Sequence, residues 1–253
     1  MIEQSNDNFL YSIIIPMFNE EKNAYTCVNE VLKAVKKIET KGLIIVVNDG
    51  SNDKTKIILN ELKSIDELIK VESYKKNEGY GYAIYRGVRI AKQYNSKYVL
   101  FMDSDLTNNP IYIQNFVNKM KEDYDFIKAS RYEAGGGTKN VPLKRKIISI
   151  IGNYVIKSLV KTKFTDITNG FRAIKTKHIQ NIHMKEKGFP VIMEEMYILS
   201  LKSIKEVNVP IILENRNNGK SSFNYTLLMF YLYLKYPILS FLVSKCKKIR
   251  RSK

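Results

Sequence analysis

Apolar runs that stop abruptly in polar or acidic clusters constrain this 253-residue chain more than any other feature. "YSIIIPMFNE", "GLIIVVNDGS" and "YVLFMDSD" each read as a buried strand opening into a loop, and "IKVESYK" as a further, shorter strand. Helical patterns lie between them. Residues 23–39 place Val28, Val31, Leu32, Val35 and Ile38 on one face, and 53–62 and 83–94 are predicted helices as well. Near-continuous apolar strands, unlike alternating ones, belong to parallel sheets covered on both faces. The expected fold class is therefore α/β, an open, mostly parallel sheet with flanking helices. Such sheets bind ligands just beyond the carboxyl ends of their strands, where these polar clusters fall.

"FIKASRYEAGGG" interrupts that rhythm, and its three glycines predict a loop. A helix is expected from about Val141 to Leu159, then "DITNGFRAIK", a helical segment around Glu194, and "IKEVNVPIILENR". No internal repeat or Ser/Pro linker divides this stretch, so residues 1–222 are read as one domain and 223–253 as a separate C-terminal segment. From Leu227 to Ser244 run eighteen mostly apolar residues, interrupted by Lys235 and Pro237. That is the lower edge of a membrane span, and the proline is expected to divide it into two short helices. Aromatics, lysines and the terminal "SKCKKIRRSK" suit the interface of an anionic leaflet, at about 1 kcal/mol per basic residue. The expectation is a pair of C-terminal membrane-associating helices; the alternative is a helix packed on the core.

A formal charge of +17 points the same way. Basic residues concentrate in the tail and in Lys139 to Lys163, a stretch without an acid, which implies a polyanionic partner: nucleic acid, acidic lipid or phosphorylated substrate. Cys27 and Cys246 lie far apart without metal-like spacing, which suits a reducing compartment and argues against a disulfide scaffold or zinc site. His178 and His183 are isolated and read as surface or core residues. The N-terminus lacks a basic start followed by an apolar signal core, so the chain is expected not to be secreted.

Asp103 and Asp105 project to the same side of an extended strand, because side chains there repeat every two residues. Two like charges side by side need a cation or water, and carboxylate oxygens suit Mg²⁺ or Mn²⁺. A lone Asp-x-Asp is more often a solvated loop; its position after a buried strand favours a site.

The ordered segments "IIIPMFNEEKN", "IIVVNDGSNDKT", "NEGYGYAIYRG" and "FMDSDLTNNP" resemble the motifs of family-2 glycosyltransferases, over about residues 11–222. The resemblance implies a GT-A nucleotide-sugar-binding fold. It places Pro16, Phe18 and Glu20 beside the nucleotide, Asn48 and Asp49 on base and ribose, and Gly79 and Gly81 where the backbone approaches the donor. Asp103, Ser104 and Asp105 then hold the donor diphosphate, the two carboxylates through the metal. Asn48 stands where the family has an acid, Tyr80 where it has Lys, and Thr107 where it often has Gln or Ser. Further on, "SRYEAGGG", "LKRKIISIIGN", "DITNGFRA" and "ENRNNGKSS" are similar to dolichol-phosphate mannose synthase and its bacterial polyprenyl-phosphate relatives. This similarity implies that Arg131, Arg145, Asn153, Asp166, Arg172 and Arg216 bind the acceptor or the diphosphate. Asn169 replaces the usual Ser, and Ser222 a usual Lys whose charge Lys220 would supply.

The chemistry agrees with this resemblance. Sugar transfer passes through an oxocarbenium-like state, and the departing diphosphate gathers charge that a metal and arginines stabilise. A lipid phosphate is already an anion and needs positioning by arginine more than a base. The expected function is thus a metal-dependent, inverting hexosyl transfer from a nucleotide-diphosphate sugar to a polyprenyl phosphate at the cytoplasmic face of a membrane. A hydroxyl acceptor in surface glycan synthesis is the alternative; it needs a carboxylate base, for which Glu195, with Glu194 beside it, is the candidate. A basic nucleic-acid-binding protein is a distant third, because no nucleic-acid motif is present. A sugar nucleotidyltransferase is disfavoured by the lack of a glycine-rich, Arg-containing loop near the start.

Overall fold

The computed structural model of the protein describes residues 8–215 and 226–251, without the side chains of 144, 145, 227 and 247–251. The first half alternates as expected: β1 (Tyr11–Met17), α1 (Ala24–Lys36), β2 (Gly42–Asn48), α2 (Thr55–Lys63), β3 (Ile69–Ser73), α3 (Tyr80–Gln93) and β4 (Tyr98–Phe101). After α4 (Ile113–Lys121) come β5 (Phe126–Ser130), β6 (Gly137–Thr138), α5 (Leu143–Leu159), β7 (Arg172–Lys175) and α6 (Thr176–Ile179). The chain continues through α7 (Val191–Ser200), β8 (Glu206–Pro210), β9 (Ile212–Leu213) and α8 (Leu227–Arg251).

Seven of these strands form one sheet in the order β3-β2-β1-β4-β7-β5-β8. β1 pairs parallel with β2 and β4, and β2 with β3, while β7 runs antiparallel between β4 and β5. The apolar runs are continuous because both sheet faces are covered. Ile13, Ile15, Ile44 and Val46 enter one core with α1, α2 and α4; Ile14, Ile45, Val47 and Phe101 enter the other with α3 and α7. Each such side chain, taken fully out of water, contributes about 1.5–3 kcal/mol. α4 has no counterpart in the sequence-based expectation, although Ile113, Phe116, Val117 and Met120 recur at helical spacing and are all buried.

Two expectations for the second half change, and one segment without a structural expectation proves to be a strand. The glycine segment is not simply a loop: Gly137–Thr138 pairs parallel with Ile212–Leu213. "DITNGFRAIK" contains β7 at the centre of the sheet. The C-terminal segment is one helix through Pro237, not two. Proline removes one N–H donor from the ladder, and the loss is confined to a single bond toward Tyr233. Packing holds the flanking turns: the Tyr236 ring centroid lies 6.0 Å from that of Tyr197 on α7, and Ser240 Oγ lies 3.2 Å from Ser200 Oγ. α8 therefore packs one face on the core and leaves Leu228, Tyr231, Ile238, Leu239, Phe241 and Leu242 exposed on others. No described helix is long and apolar enough to cross a membrane.

Candidate active site

The loops leaving β1, β2 and β4 converge on a cavity of about 820 Å³, bordered by Pro16, Phe18, Glu20, Asp49, Gly79 and the Asp103–Asp105 cluster. A parallel sheet places these carboxyl ends on one edge, so the polar clusters meet there as the alternation implied. Within it, Asp49 is a structural clasp. Its carboxylate accepts Gly79 N–H at 2.7 Å and Glu78 N–H at 3.1 Å, and Arg86 lies 3.6 Å away. The Arg86 guanidinium is stacked 3.3 Å over the Tyr74 ring and 4.4 Å over Tyr82, so it holds both the clasp and the start of α3.

Two donor-side expectations are placed elsewhere. Asn48 is buried behind the cavity wall, its Oδ1 accepting Ser51 N–H at 3.2 Å and its amide donating to Ser73 Oγ at 3.3 Å. Gly81 does not border the cavity; its N–H donates to Lys187 O at 2.7 Å, and a Cβ there would lie 2.1 Å from Glu186 O. Gly79, at φ +103°, faces the same segment, with a Cβ position 2.4 Å from Lys187 O. Both glycines admit another stretch of this chain's own backbone.

Two neutral donors among the described residues orient the carboxylate pair. Tyr80 O–H donates to Asp103 Oδ1 at 3.1 Å, while Thr107 donates to Asp105 Oδ1 through N–H at 3.1 Å and Oγ1 at 2.8 Å. Burial, and then the Asp103 charge, push the Tyr80 hydroxyl well above its ordinary range, so it stays a donor. Among the described residues no group of three or more His, Cys, Asp or Glu gathers as a metal site. Two oxygen ligands nevertheless fit a hard cation that keeps waters and takes phosphate oxygens, the usual arrangement for Mg²⁺.

Past the carboxylates, Arg131 borders the cavity and is aimed by Asp166. Its Nε and Nη2 donate to the two carboxylate oxygens at 2.6 and 2.8 Å, and Nη2 reaches Thr168 Oγ1 at 3.3 Å. Asp166 is fully buried, so it is a fixed partner for the fork. Asn153 binds the same loop to α5, accepting Ile167 N–H at 2.6 Å and donating to Thr168 Oγ1 at 2.9 Å. The lining also includes an apolar set, Ile148, Ile151 and Val155 of α5 and Phe230, Tyr233 and Leu234 of α8.

Arg172 and Glu195, expected as an anion-binding arginine and a base, are neither exposed nor in contact with the cavity. Glu195 accepts from Arg172 Nε at 2.5 Å and Nη2 at 2.7 Å, and Nη1 donates to Gly170 O at 2.7 Å. Burial opposes the Arg172 charge, yet Glu195 holds it above its ordinary range. Glu194 is occupied too, accepting Lys185 and Glu186 N–H groups at 2.9 Å. The Arg145 side chain, Arg216 and Lys220 lie outside the described residues.

Residues 12–182 match the family model described as Glycosyl transferase family 2. The chain belongs to glycosyl transferase family 2. The dolichol-phosphate mannosyltransferase of Pyrococcus furiosus is 30% identical over 224 residues, covering 87% of this chain and 61% of that protein. This chain thus spans less than two thirds of that relative's length. The polyprenol monophosphomannose synthase of Mycolicibacterium smegmatis is 27% identical over 213 residues, 83% of this chain and 79% of that one. In fold, mannosyl-3-phosphoglycerate synthase from Rubrobacter xylanophilus superposes with a TM-score of 0.63 at 17% identity, over 96% of this chain and 75% of that one. Glucosyl-3-phosphoglycerate synthase from Mycobacterium tuberculosis, in complex with Mn²⁺, UDP and glucosyl-3-phosphoglycerate, gives 0.58 at 17% identity, over 94% and 80%. The chain is similar to these mannosyltransferase and monophosphomannose synthase relatives and shares the α/β fold of these structures.

Several residues of this glycosyltransferase's site carried no functional expectation. Tyr80 was visible as a departure from the family pattern, and its contact with Asp103 shows what the tyrosine does. Lys128 gave a signal, a lysine inside the apolar run "DFIKAS". It is fully buried in β5, donates to Asn169 O, and is lowered to about 7 by burial and by Arg172. Gly170 lies against Asp103, its Cβ position 3.3 Å from Oδ2, and Phe189 stacks on Tyr80 at 4.6 Å; nothing in their local sequence marks them.

Proposed function

We propose that this family-2 glycosyltransferase moves a hexosyl group, with inversion, from a nucleotide-diphosphate sugar to a polyprenyl phosphate at the cytoplasmic face of a membrane. The observation that carries the reading is the lining of its cavity. One space of about 820 Å³ is lined by Asp49 and the Asp103–Asp105 pair, by Arg131, and by apolar side chains of α5 and α8. A donor diphosphate fits the carboxylates, an acceptor phosphate the Asp166-aimed fork of Arg131, and a prenyl chain the apolar side chains. The names of the two mannosyl-phosphate-forming relatives support the acceptor class.

Asp103 and Asp105 are the residues that would hold Mg²⁺ or Mn²⁺, whose chemistry here is neutralisation of charge on the departing diphosphate. The acceptor phosphate oxygen attacks the anomeric carbon as the bond to the diphosphate breaks. Being already anionic, it needs no proton removed. Arg131 holds it in line by charge-assisted hydrogen bonds. A hydroxyl acceptor needs a base, and Glu194 and Glu195 both have their oxygens occupied away from the cavity. The same two helices, α5 and α8, also carry exposed apolar residues, so membrane contact is read as peripheral, through these two helices.

The test supplies radiolabelled nucleotide sugars, Mg²⁺ or Mn²⁺ and vesicles containing a polyprenyl phosphate. Label should enter the organic-extractable lipid, and Asp103→Ala and Asp105→Ala should each abolish it. Transfer to a soluble hydroxyl acceptor with none to lipid would reject the reading.

A further inference from the structure

We propose that Tyr80 and Glu186 are positioning residues for Asp103, Tyr80 by direct contact and Glu186 by tying α8 to the segment that seats Tyr80. The proposal rests on Asp103 being a metal carboxylate and adds how its orientation is set.

Tyr80 opens α3 and reaches Asp103 Oδ1 at 3.1 Å with its hydroxyl. Its ring cannot swing away freely, because Phe189 packs on it at 4.6 Å between centroids, 31° from parallel. Phe189 ends a segment, residues 185–189, that is fixed on three sides. Glu194 of α7 takes the N–H groups of Lys185 and Glu186. Lys187 O takes Gly81 N–H at 2.7 Å at the start of α3. The Glu186 side chain turns to α8, where Lys235 Nζ at 2.9 Å and the Tyr236 hydroxyl at 2.8 Å converge on Oε1.

Contacts therefore join α8 to Glu186, and Phe189 through Tyr80 to Asp103, with the short backbone 186–189 connecting the two. α8 also borders the cavity through Phe230, Tyr233 and Leu234. The glycines show how closely the segment is built in. A Cβ on Gly79 or Gly81 would meet the Lys187 or Glu186 carbonyl at 2.4 or 2.1 Å. A two-carboxylate site has few protein ligands, so the orientation of each one matters, and partners that orient a ligand commonly change metal affinity 10–100-fold. A helix that lines the cavity is thus mechanically joined to a carboxylate that lines it.

The test measures Mn²⁺ binding by the EPR signal of free ion, with whichever of GDP and UDP raises the melting temperature of the wild-type protein. Tyr80→Phe keeps the ring and removes the hydroxyl; it should weaken Mn²⁺ about 10-fold while leaving metal-free nucleotide affinity unchanged. Glu186→Ala should weaken it about threefold, and the double variant no more than Tyr80→Phe alone, since members of one chain are not additive. Phe189→Leu, which removes the stacking partner, reads the same link if Tyr80→Phe fails to fold. Mn²⁺ affinity within twofold of wild type in Tyr80→Phe, or a double variant equal to the product of the singles, overturns the proposal. Asp103→Asn with wild-type Mn²⁺ affinity instead rejects the metal assignment, and the proposal with it.

Discussion

Glu195→Gln separates a buried structural pair from a catalytic base. Arg172 and Glu195 are both wholly inaccessible, and their two hydrogen bonds are 2.5 and 2.7 Å long. Glutamine keeps the shape and one acceptor but removes the charge. Arg172 cannot give up its own proton, so an uncompensated cation is left in the core. Breaking one side of a buried ion pair costs about 3–5 kcal/mol, and the retained acceptor places this change near the lower figure. At about 2–4 °C per kcal/mol for a chain of this size, the melting temperature should fall by about 10 °C. Urea titration followed by circular dichroism should show a lower midpoint with an unchanged slope. Replacing both residues by Met should recover much of the loss, because apolar packing substitutes well for a buried pair. Lipid-directed transfer, measured well below the melting transition, should stay within about tenfold of wild type, equivalent to less than about 1.4 kcal/mol in the barrier. A variant of wild-type stability that has lost turnover would refute this reasoning and restore Glu195 as the base of a hydroxyl-acceptor enzyme.

Lys128 gives a pH dependence whose sign is set by its lowered pKa of about 7 against an ordinary 10.5. Between those values the unfolded chain binds a proton that the folded one does not, so stability rises with pH; urea midpoints taken across that range should show a rise that Lys128→Met flattens. Asp166→Asn should raise the acceptor KM about 10–100-fold, with a small change in donor KM, because the Arg131 fork loses two charge-assisted bonds worth about 1.5–3 kcal/mol each. Gly81→Ala forces a Cβ to within 2.1 Å of Glu186 O, and thermal melts should show a loss of about 1–3 kcal/mol from overpacking. Ile151→Ser with Leu239→Ser changes two exposed residues on α5 and α8. Flotation with anionic vesicles should show weaker binding by about 1.5–3 kcal/mol per lost apolar side chain, with the melting temperature unchanged.

The first half of the fold was legible because both faces of its sheet are covered. β1, β2 and β4 lie wholly in the interior except for Pro16, and such strands write themselves as apolar runs. β7 is equally buried but reads "RAIK", with Arg172 and Lys175 inside the sheet. No hydrophobic pattern can announce such a strand, because its charges are satisfied by residues distant in sequence: Glu195 for Arg172, and Asp123 and Asp125 for Lys175. The same limit explains α8. Eighteen apolar residues are compatible with lipid, with core or with both, and only packing against Tyr197 and Ser200 divides the helix into a buried face and exposed ones.

The site divides along the same line. Motif residues that follow parallel strands arrive at the cavity, since strand ends fix loop positions: Pro16, Phe18, Glu20, Asp49 and Asp103 to Asp105 all do. Several described motif residues of the second half act at one remove. Asp166 aims Arg131, Asn153 anchors the loop that Thr168 shares with it, and Arg172 with Glu195 props Gly170 against Asp103. A sequence motif records that a residue type is needed at a spacing, without recording whether it touches substrate or holds the residue that does. Arginines in a phosphate-handling enzyme invite the first assumption. A fully buried guanidinium with a bidentate carboxylate partner supports the second, because an anion reaching it would have to displace Glu195 from the protein interior. Under the proposed function the acceptor phosphate goes to Arg131, which borders the cavity among the described residues together with apolar side chains of α5 and α8.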